Sequence, residues 1–563
     1  MQFGNKIRRK CIFGISVLAL CFLCSCALSS KKDELMSKNV TQNVKDNKDS
    51  NYISSDALTN KEEDINMSQT TGWSTEKRNR LEGYFKGIKA TSPLKTIINN
   101  NPLMTQRLGA DPYVIEYDGR VYVYMTGDVV ERDSDGNVKD NSYSRINKLN
   151  VISSEDLVNW TDHGTIHAAG NTGSAKWGNN SWAPAVARKE VDGKMKFFIY
   201  FANGGNGIGV LTSDSPTGPF KDPLGGALIS RNTPNCANVT WLFDPAVLVD
   251  DDGKAYLYFG GGIPEGKQAD PGTGRVVELG KDMISLAGEP TALSIPYLFE
   301  DSGINKIGNT YYYSYCSNWQ VSAEATKELG FGIAQIVYMT SDNPMGPFTL
   351  QGPILRNPGD FFGSYGNNHH CIFQFKDKYY IAYHTQMLES RLGISGGYRS
   401  TNINELKVNE DGSLASVFAD EVGVDQVSKL NPYSKVEAET MATMAGISTT
   451  QCDAMSILYG SGNMAVNEID TGDWIALKGV DFGTEGANKF TVSVNLPKES
   501  IGAIQIRKDQ LFGEVIGYVE LTTDNKDEYV EITEQLLATV TGEHDLYFVF
   551  YGTEYSLDYW YFQ

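Results

Sequence analysis

Three carboxylates, Asp111, Asp244 and Glu300, each stand at the head of a similar stretch of chain. Two further stretches of the same kind begin at Trp182 and His369. Paired carboxyl groups can do general acid–base work, one accepting a proton from water while the other protonates a leaving oxygen. A third acid nearby raises the pKa of the proton donor through like-charge repulsion and orients it. That is the equipment for hydrolysis of a glycosidic bond, and the Trp182 indole offers a flat apolar face to a sugar ring. Any one of these acids, placed before Pro or Asp-Ser, could be a structural cap. Three of them at the head of one repeat, with an indole and an imidazole, point instead to a site. The chain has no phosphate loop and no His-Glu-x-x-His pair, so phosphoryl and zinc chemistries have no anchor.

The elements that must position these residues are hairpins. Asp111-Pro112 leads into an apolar strand, an Asp118-Gly119 turn and an alternating aromatic strand to Thr126. Asp244-Pro245, Trp182-Ala183-Pro184, Glu300-Asp301-Ser302 and His369-His370 open the same pattern. Units of roughly 50 residues that cannot bury their faces alone are the mark of a propeller blade. The expected fold is therefore all-β, a five-bladed β-propeller over residues 99–428 with its chemistry where the inner strands converge, followed by a β-sandwich over 435–563. In this last part short strands alternate with turns, among them Ala503 to Arg507, Gly517 to Leu521 and Leu546 to Phe550. Leu430 to Ser434 reads as a polar joint, and Asn318 to Phe348 as a long connection that could wall the site, with Trp319 lining it or packing in the core.

A net charge of −20 and a pI near 4.8 argue against nucleic acid or an anionic membrane surface as partner and leave neutral polymers open. Residues 1–26 read as an export signal: Lys6, Arg8, Arg9 and Lys10 precede the apolar run Ile12 to Leu23. Leu23-Cys24-Ser25-Cys26 resembles a bacterial lipobox, which implies lipidation of Cys26 and an extracellular, cell-surface lipoprotein. Residues 27–98 are polar and read as a disordered stalk, with a short helix within Tyr84 to Ile97. Cys236, Cys316, Cys371 and Cys452 have no metal-ligand spacing and are expected as buried thiols. A monomer is expected.

Ala110-Asp111-Pro112, Ser181-Trp182-Ala183-Pro184, Phe243-Asp244-Pro245, Phe299-Glu300-Asp301-Ser302-Gly303 and Asn368-His369-His370 together resemble glycoside hydrolase family 43. By that resemblance Asp111 is the general base, Asp244 the pKa modulator and Glu300 the general acid of an inverting hydrolase. It also implies Trp182, Phe243, Arg399 and His369 as substrate contacts, and His369 as the position of a central ion such as calcium. Tyr124-Met125-Thr126-Gly127-Asp128, Asn141-Ser142-Tyr143 and Asn159-Trp160-Thr161-Asp162 look most like arabinoxylan arabinofuranohydrolases, which implies removal of α-L-arabinofuranosyl groups from arabinoxylan. β-Xylosidase and arabinan-degrading activities of the same family use the same acids and stay open.

Val436-Glu437-Ala438-Glu439, Gly472-Asp473-Trp474-Ile475 and Leu557-Asp558-Tyr559-Trp560 resemble a family 6 carbohydrate-binding module. The resemblance implies a jelly-roll sandwich with structural calcium near Glu437, Glu439 and Asp558. Asn467 and Ser556 depart from it, standing where a sugar-stacking Tyr and a ligand-binding Asn are common, so the module either binds glycan or braces the propeller. A non-catalytic surface glycan-binding protein is the rival to the enzyme; the presence of all three acids favours the enzyme.

Overall fold

The computed structural model describes residues 73–452, 462–497, 500–522 and 528–563. The export signal, Cys26 and the stalk up to residue 72 lie outside these residues.

Five antiparallel sheets follow one another along the chain. The first holds β1 (Ala110–Tyr117), β2 (Arg120–Thr126), β3 (Lys148–Ser154) and β4 (Trp160–His167). The second holds β5 (Trp182–Val191), β6 (Lys194–Ala202), β7 (Gly207–Ser213) and β8 (Ile229–Ser230). In the third are β9 (Ala246–Val249), β10 (Ala255–Phe259), β11 (Arg275–Leu279) and β12 (Thr291–Ala292). The fourth has β13 (Leu298–Ile307), β14 (Thr310–Ser317), β15 (Ile336–Ser341) and β16 (Thr349–Leu355). β17 (His370–Phe375), β18 (Lys378–Thr385) and β19 (Ser400–Leu406) make the fifth. Two-residue turns set the hairpin register: Asp118 and Gly119 have φ of 51° and 76°, and Asp192 and Gly193 have 52° and 75°. Positive φ at both central positions gives the turn whose twist matches that of the strands it joins.

The first strands touch in a closed cycle, β1 to β5, β5 to β9, β9 to β13, β13 to β17 and β17 back to β1. An apolar cluster fills each gap. Tyr124, Val151, Phe197 and Leu211 lie between sheets one and two, and Phe198, Ile208, Leu257 and Val277 between two and three. Tyr258, Val276, Tyr313 and Val337 follow between three and four, then Ile336, Tyr338, Ile381 and Leu406 between four and five. Val123, Ile152, Phe373 and Ala382 join five to one. Because each sheet is covered on both faces, Phe197 to Ala202 are all buried rather than alternating. Each such side chain contributes roughly 1.5–3 kcal/mol, and only with its neighbours in place.

The C-terminal residues form two more antiparallel sheets around one core that includes Ile475, Phe490, Ile506, Phe548 and Trp560. Thr440 and Met441 leave that core and pair with Thr161 and Trp160, so the C-terminal part extends the first sheet of the ring. The expected joint is not a free linker: Leu430 bridges to Val480 and the Pro432 carbonyl accepts from the Phe562 N–H.

Two expectations are corrected. Residues 73–98 are not a disordered stalk: α1 (Thr75–Phe85), capped by Ser74, buries Leu81 and Phe85 against the C-terminal sheets. The Tyr84 ring stacks on Tyr551 at 4.6 Å and 4°. The helix ends where Tyr84 to Ile97 was expected to form one, and Thr91 beyond it accepts from the Trp474 indole. Polar composition concealed this because the few aromatic residues find partners more than 400 positions away. Likewise Asn318 to Phe348 is only partly a connection; it contains α2 (Ala323–Leu329) and then β15, while Trp319 packs on the core between sheets four and five. Cys236, Cys316 and Cys371 are buried thiols, and Cys452 is half-buried.

Candidate active site

The site is built on a repeated backbone distortion. Asp111, Ala183, Asp244 and Asp301 have φ of 47°, 41°, 48° and 69° at the heads of four successive inner strands. Such angles are uncommon for residues with a Cβ and cost energy that the surrounding structure must hold in place. The ladders slip at three of these points, between Ala110 and Tyr113, Trp182 and Ala185, and Glu300 and Gly303. Aligned on this kink, Asp301 rather than Glu300 is the counterpart of Asp111 and Asp244, and Ala183 rather than Trp182. Glu300, Trp182 and Phe243 share the position one residue earlier. The equivalence read from the sequence is thus off by one residue at Trp182 in the second repeat and at Glu300 in the fourth.

Asp111 and Asp244 face one imidazole: His369 Nδ1 lies 3.6 Å from Asp111 Oδ1 and 3.9 Å from Asp244 Oδ2. Its Nε2 lies 3.1 Å from Asp301 Oδ1. The Asp301 backbone N–H donates to Asp244 Oδ2 at 2.9 Å, which ties the residue next to Glu300 to the second acid. Asp111 accepts from Arg399 Nη1 at 2.8 Å, and its N–H donates to His384 Nδ1 at 3.1 Å. Arg399 is itself clamped by Asp128, which accepts from Nε at 2.9 Å and from Nη2 at 2.7 Å, and it lies over the Tyr143 ring at 5.0 Å. Glu300 Oε1 is buried with no hydrogen-bond partner.

The ionisation states separate accordingly. Burial pushes Asp111 up, but Arg399, with His369 and His384, outweighs it and holds the carboxyl well below the usual range. Burial and then the neighbouring Asp244 and Asp111 charges raise Glu300 well above the ordinary value. Burial and the Asp111 charge raise Asp244 as well. Of this last pair, Asp244 accepts a backbone N–H that favours its charged form and Glu300 Oε1 accepts nothing, so the proton resides on Glu300. One cluster therefore offers a carboxylate at residue 111 and a carboxylic acid at residue 300, poised for proton transfer in opposite directions.

The sequence profile of Glycosyl hydrolases family 43 matches residues 99–414, and that of Carbohydrate binding module (family 6) matches 437–563. The chain is 48% identical over 491 residues to an arabinoxylan arabinofuranohydrolase of Paenibacillus polymyxa, covering 84% of this chain and 76% of that one. It is 46% identical over 490 residues to an arabinoxylan arabinofuranohydrolase of Bacillus subtilis (strain 168), covering 84% and 94%. The crystal structure of a glycoside hydrolase family 43 arabinoxylan arabinofuranohydrolase from Bacillus subtilis, in complex with cellotetraose, superposes with a TM-score of 0.79 at 46% identity, covering 84% of this chain and 99% of that one. The chain belongs to glycosyl hydrolases family 43.

In this family 43 glycoside hydrolase with a family 6 module, the residues expected as substrate contacts sit in different surroundings. Trp182 is half-buried, its indole N–H donating to the Tyr143 carbonyl at 3.0 Å, which leaves ring surface open. Phe243 is buried and packs edge-on against Trp241 at 5.2 Å; Trp241, itself half-buried, meets Phe299 at 5.4 Å. Phe243 thus backs the site instead of facing substrate, and Trp241, which the sequence reading missed, stands outside it. Arg399, at 3% exposure, bonds Asp111 and Asp128 and is not a solvated charge. Asp128, Asp301 and His384 were likewise missed, since their partners in the site lie more than 50 residues away.

Carboxylates face both nitrogens of His369, so a neutral ring donates through one of them and keeps a lone pair on the other. Among the described residues no group of three His, Cys, Asp or Glu is arranged to hold a metal. Glu439 is the residue with unmet demand: it is buried, Oε2 has no partner, and burial with the Glu437, Asp162 and Asp558 charges raises it well above the usual range.

Proposed function

We propose that this hydrolase removes α-L-arabinofuranosyl side groups from arabinoxylan with inversion, Asp111 acting as general base, Glu300 as general acid and Asp244 as the group that keeps Glu300 protonated. The observation that carries the mechanism is the contrast in hydrogen bonding: Asp111 accepts from Arg399 at 2.8 Å, which favours its carboxylate, while the buried Glu300 Oε1 has no partner, which favours its acid form. A water proton passes to the Asp111 carboxylate as the oxygen attacks the anomeric carbon, and Glu300 gives its proton to the departing xylan oxygen. Support for the substrate is the likeness, across both domains, to two arabinoxylan arabinofuranohydrolases.

The five-sheet ring is, in this reading, a five-bladed β-propeller, supported by the closed cycle of inner strands and a cluster in every gap. The C-terminal sheets form a jelly-roll sandwich that braces it. Bracing is favoured by the Thr440–Met441 strand on the first ring sheet, and by Ser556, which is occupied by the Tyr529 hydroxyl at 2.9 Å. Calcium in the sandwich, near Glu437, Glu439 and Asp558, is supported by the buried, unpartnered Glu439 oxygen beside the Glu437 and Asp558 charges; because no three acids of the described residues stand together as ligands, these side chains alone would not complete its shell. Tethering at the cell surface through Cys26 rests on the lipobox-like residues alone.

Chromatography of products from wheat arabinoxylan, linear arabinan and xylobiose tests the reading. Free arabinose from the first alone is expected; xylose from xylobiose would make the protein a β-xylosidase instead.

A further inference from the structure

We propose that Asp301 is a positioning residue of the hydrolytic centre, its side chain clamping His369 and His370 and its backbone N–H holding Asp244 in place beside Glu300. This rests on the roles proposed above for Asp111, Asp244 and Glu300. Asp301 is fully buried at the kink position that carries Asp111 in the first repeat and Asp244 in the third. Unlike Asp111 it is not paired with Arg399. Its Oδ1 accepts from the His370 N–H at 3.1 Å and lies 3.1 Å from His369 Nε2, while Oδ2 pairs with His370 Nδ1 at 2.5 Å. His370 Nε2 in turn meets Ser314 Oγ at 2.7 Å. Gly303 makes this closure possible: a Cβ there would come within 2.5 Å of Ser314 Oγ and 3.1 Å of the His370 ring.

One carboxylate therefore fixes the imidazole that separates Asp111 from Asp244, and the same residue's main chain fixes the Asp244 oxygen. Loss of either contact would let the pKa-tuning acid rotate away from Glu300. A buried anion next to the proton donor also adds to the charge that keeps Glu300 protonated. The groups that act on Glu300 are Asp244, Asp111, Asp301 and Arg399, with Tyr143 and Cys316 close by.

The test compares Asp301→Asn, Ser314→Ala and Glu300→Gln in the full chain, reading kcat, KM, the pH profile of kcat/KM and the melting temperature. Asp301→Asn is expected to lower kcat by at least about tenfold with KM within about twofold, because the contact it breaks positions groups for the transition state. The alkaline limb of its profile should move to lower pH, since one negative charge beside Glu300 is gone. Ser314→Ala, which loosens the same buried network without removing that charge, should leave the limb in place. An unmoved limb with wild-type kcat in Asp301→Asn overturns the inference, as does an equal limb shift in Ser314→Ala. If Glu300→Gln retains turnover, the acid assignment falls. If Glu300→Gln is inactive while Asp301→Asn behaves as wild type, this inference alone falls.

Discussion

At the scale of the residue, the division of labour between Asp111 and Glu300 is a statement about their neighbours. Substituting Glu300→Gln or Asp111→Asn should each cut turnover by at least about 10² with the fold retained, because each removes one proton transfer; steady-state assays on arabinoxylan with circular dichroism check this. Arg399 carries a sharper expectation. Its guanidinium keeps Asp111 ionised, and activity is lost as pH falls through the pKa of the base. Arg399→Gln should therefore move the acid limb of kcat/KM to higher pH; an unchanged limb would mean that the histidines alone hold Asp111 down. The three acids were legible in the sequence because each opens a hairpin. Asp301 was hidden by standing directly after one of them, and only the positive φ shared with Asp111 and Asp244 reveals which residue of the pair occupies the inner register. Asp128 follows Gly127 and reads as a turn residue until Arg399, 271 positions on, is brought to it.

At the scale of the element, hairpins could be read directly since a two-residue turn between apolar strands carries its own register. The stretch from α1 to Pro102 could not, because its order comes from what it packs against. Lys95 shows the consequence. Its Nζ donates to the Pro102 carbonyl at 2.8 Å, and burial, then Lys478 and Arg391, push its pKa down to about 7. An unfolded lysine titrates near about 10.4. Between those values the unfolded chain binds more protons than the folded one, so stability contributed by this group rises as pH rises from about 7 toward 10.4 and is lowest below that window. Denaturant melts of wild type and Lys95→Met across this range should show the difference between them growing with pH; parallel curves would mean that Lys95 is not buried uncharged. The acids around Glu439 belong to the same scale. A chelator is expected to lower the melting temperature, and Glu439→Gln to shrink that effect; a melting curve indifferent to chelator would remove the proposed calcium.

At the scale of the whole molecule, the ring and the C-terminal sheets share a strand, a buried ion pair and a crossing segment, so neither surface is finished alone. Met441 pairs with Trp160, Asp162 is fully buried against Arg107 while accepting from Thr449 at 2.6 Å, and Asn159 exchanges two hydrogen bonds of 2.9 Å with the Lys478 backbone. Thr443 donates to the Lys95 carbonyl at 2.7 Å, which pins the segment entering the ring. Ending the chain after residue 434 would leave Asp162 without Thr449, Asn159 with both amide groups short of a partner, and the apolar faces of Leu81, Phe85 and Trp160 in water. A buried polar group left unsatisfied costs about 1–3 kcal/mol each, and a domain is stable by only about 5–15 kcal/mol in total. The intact chain is therefore expected to melt in one calorimetric transition, and the truncated ring to be insoluble or to melt far lower. A truncated ring that stays soluble, keeps its melting temperature and hydrolyses arabinoxylan at the full rate would show that the sandwich is a separable passenger, and would return glycan binding as the reason for its presence.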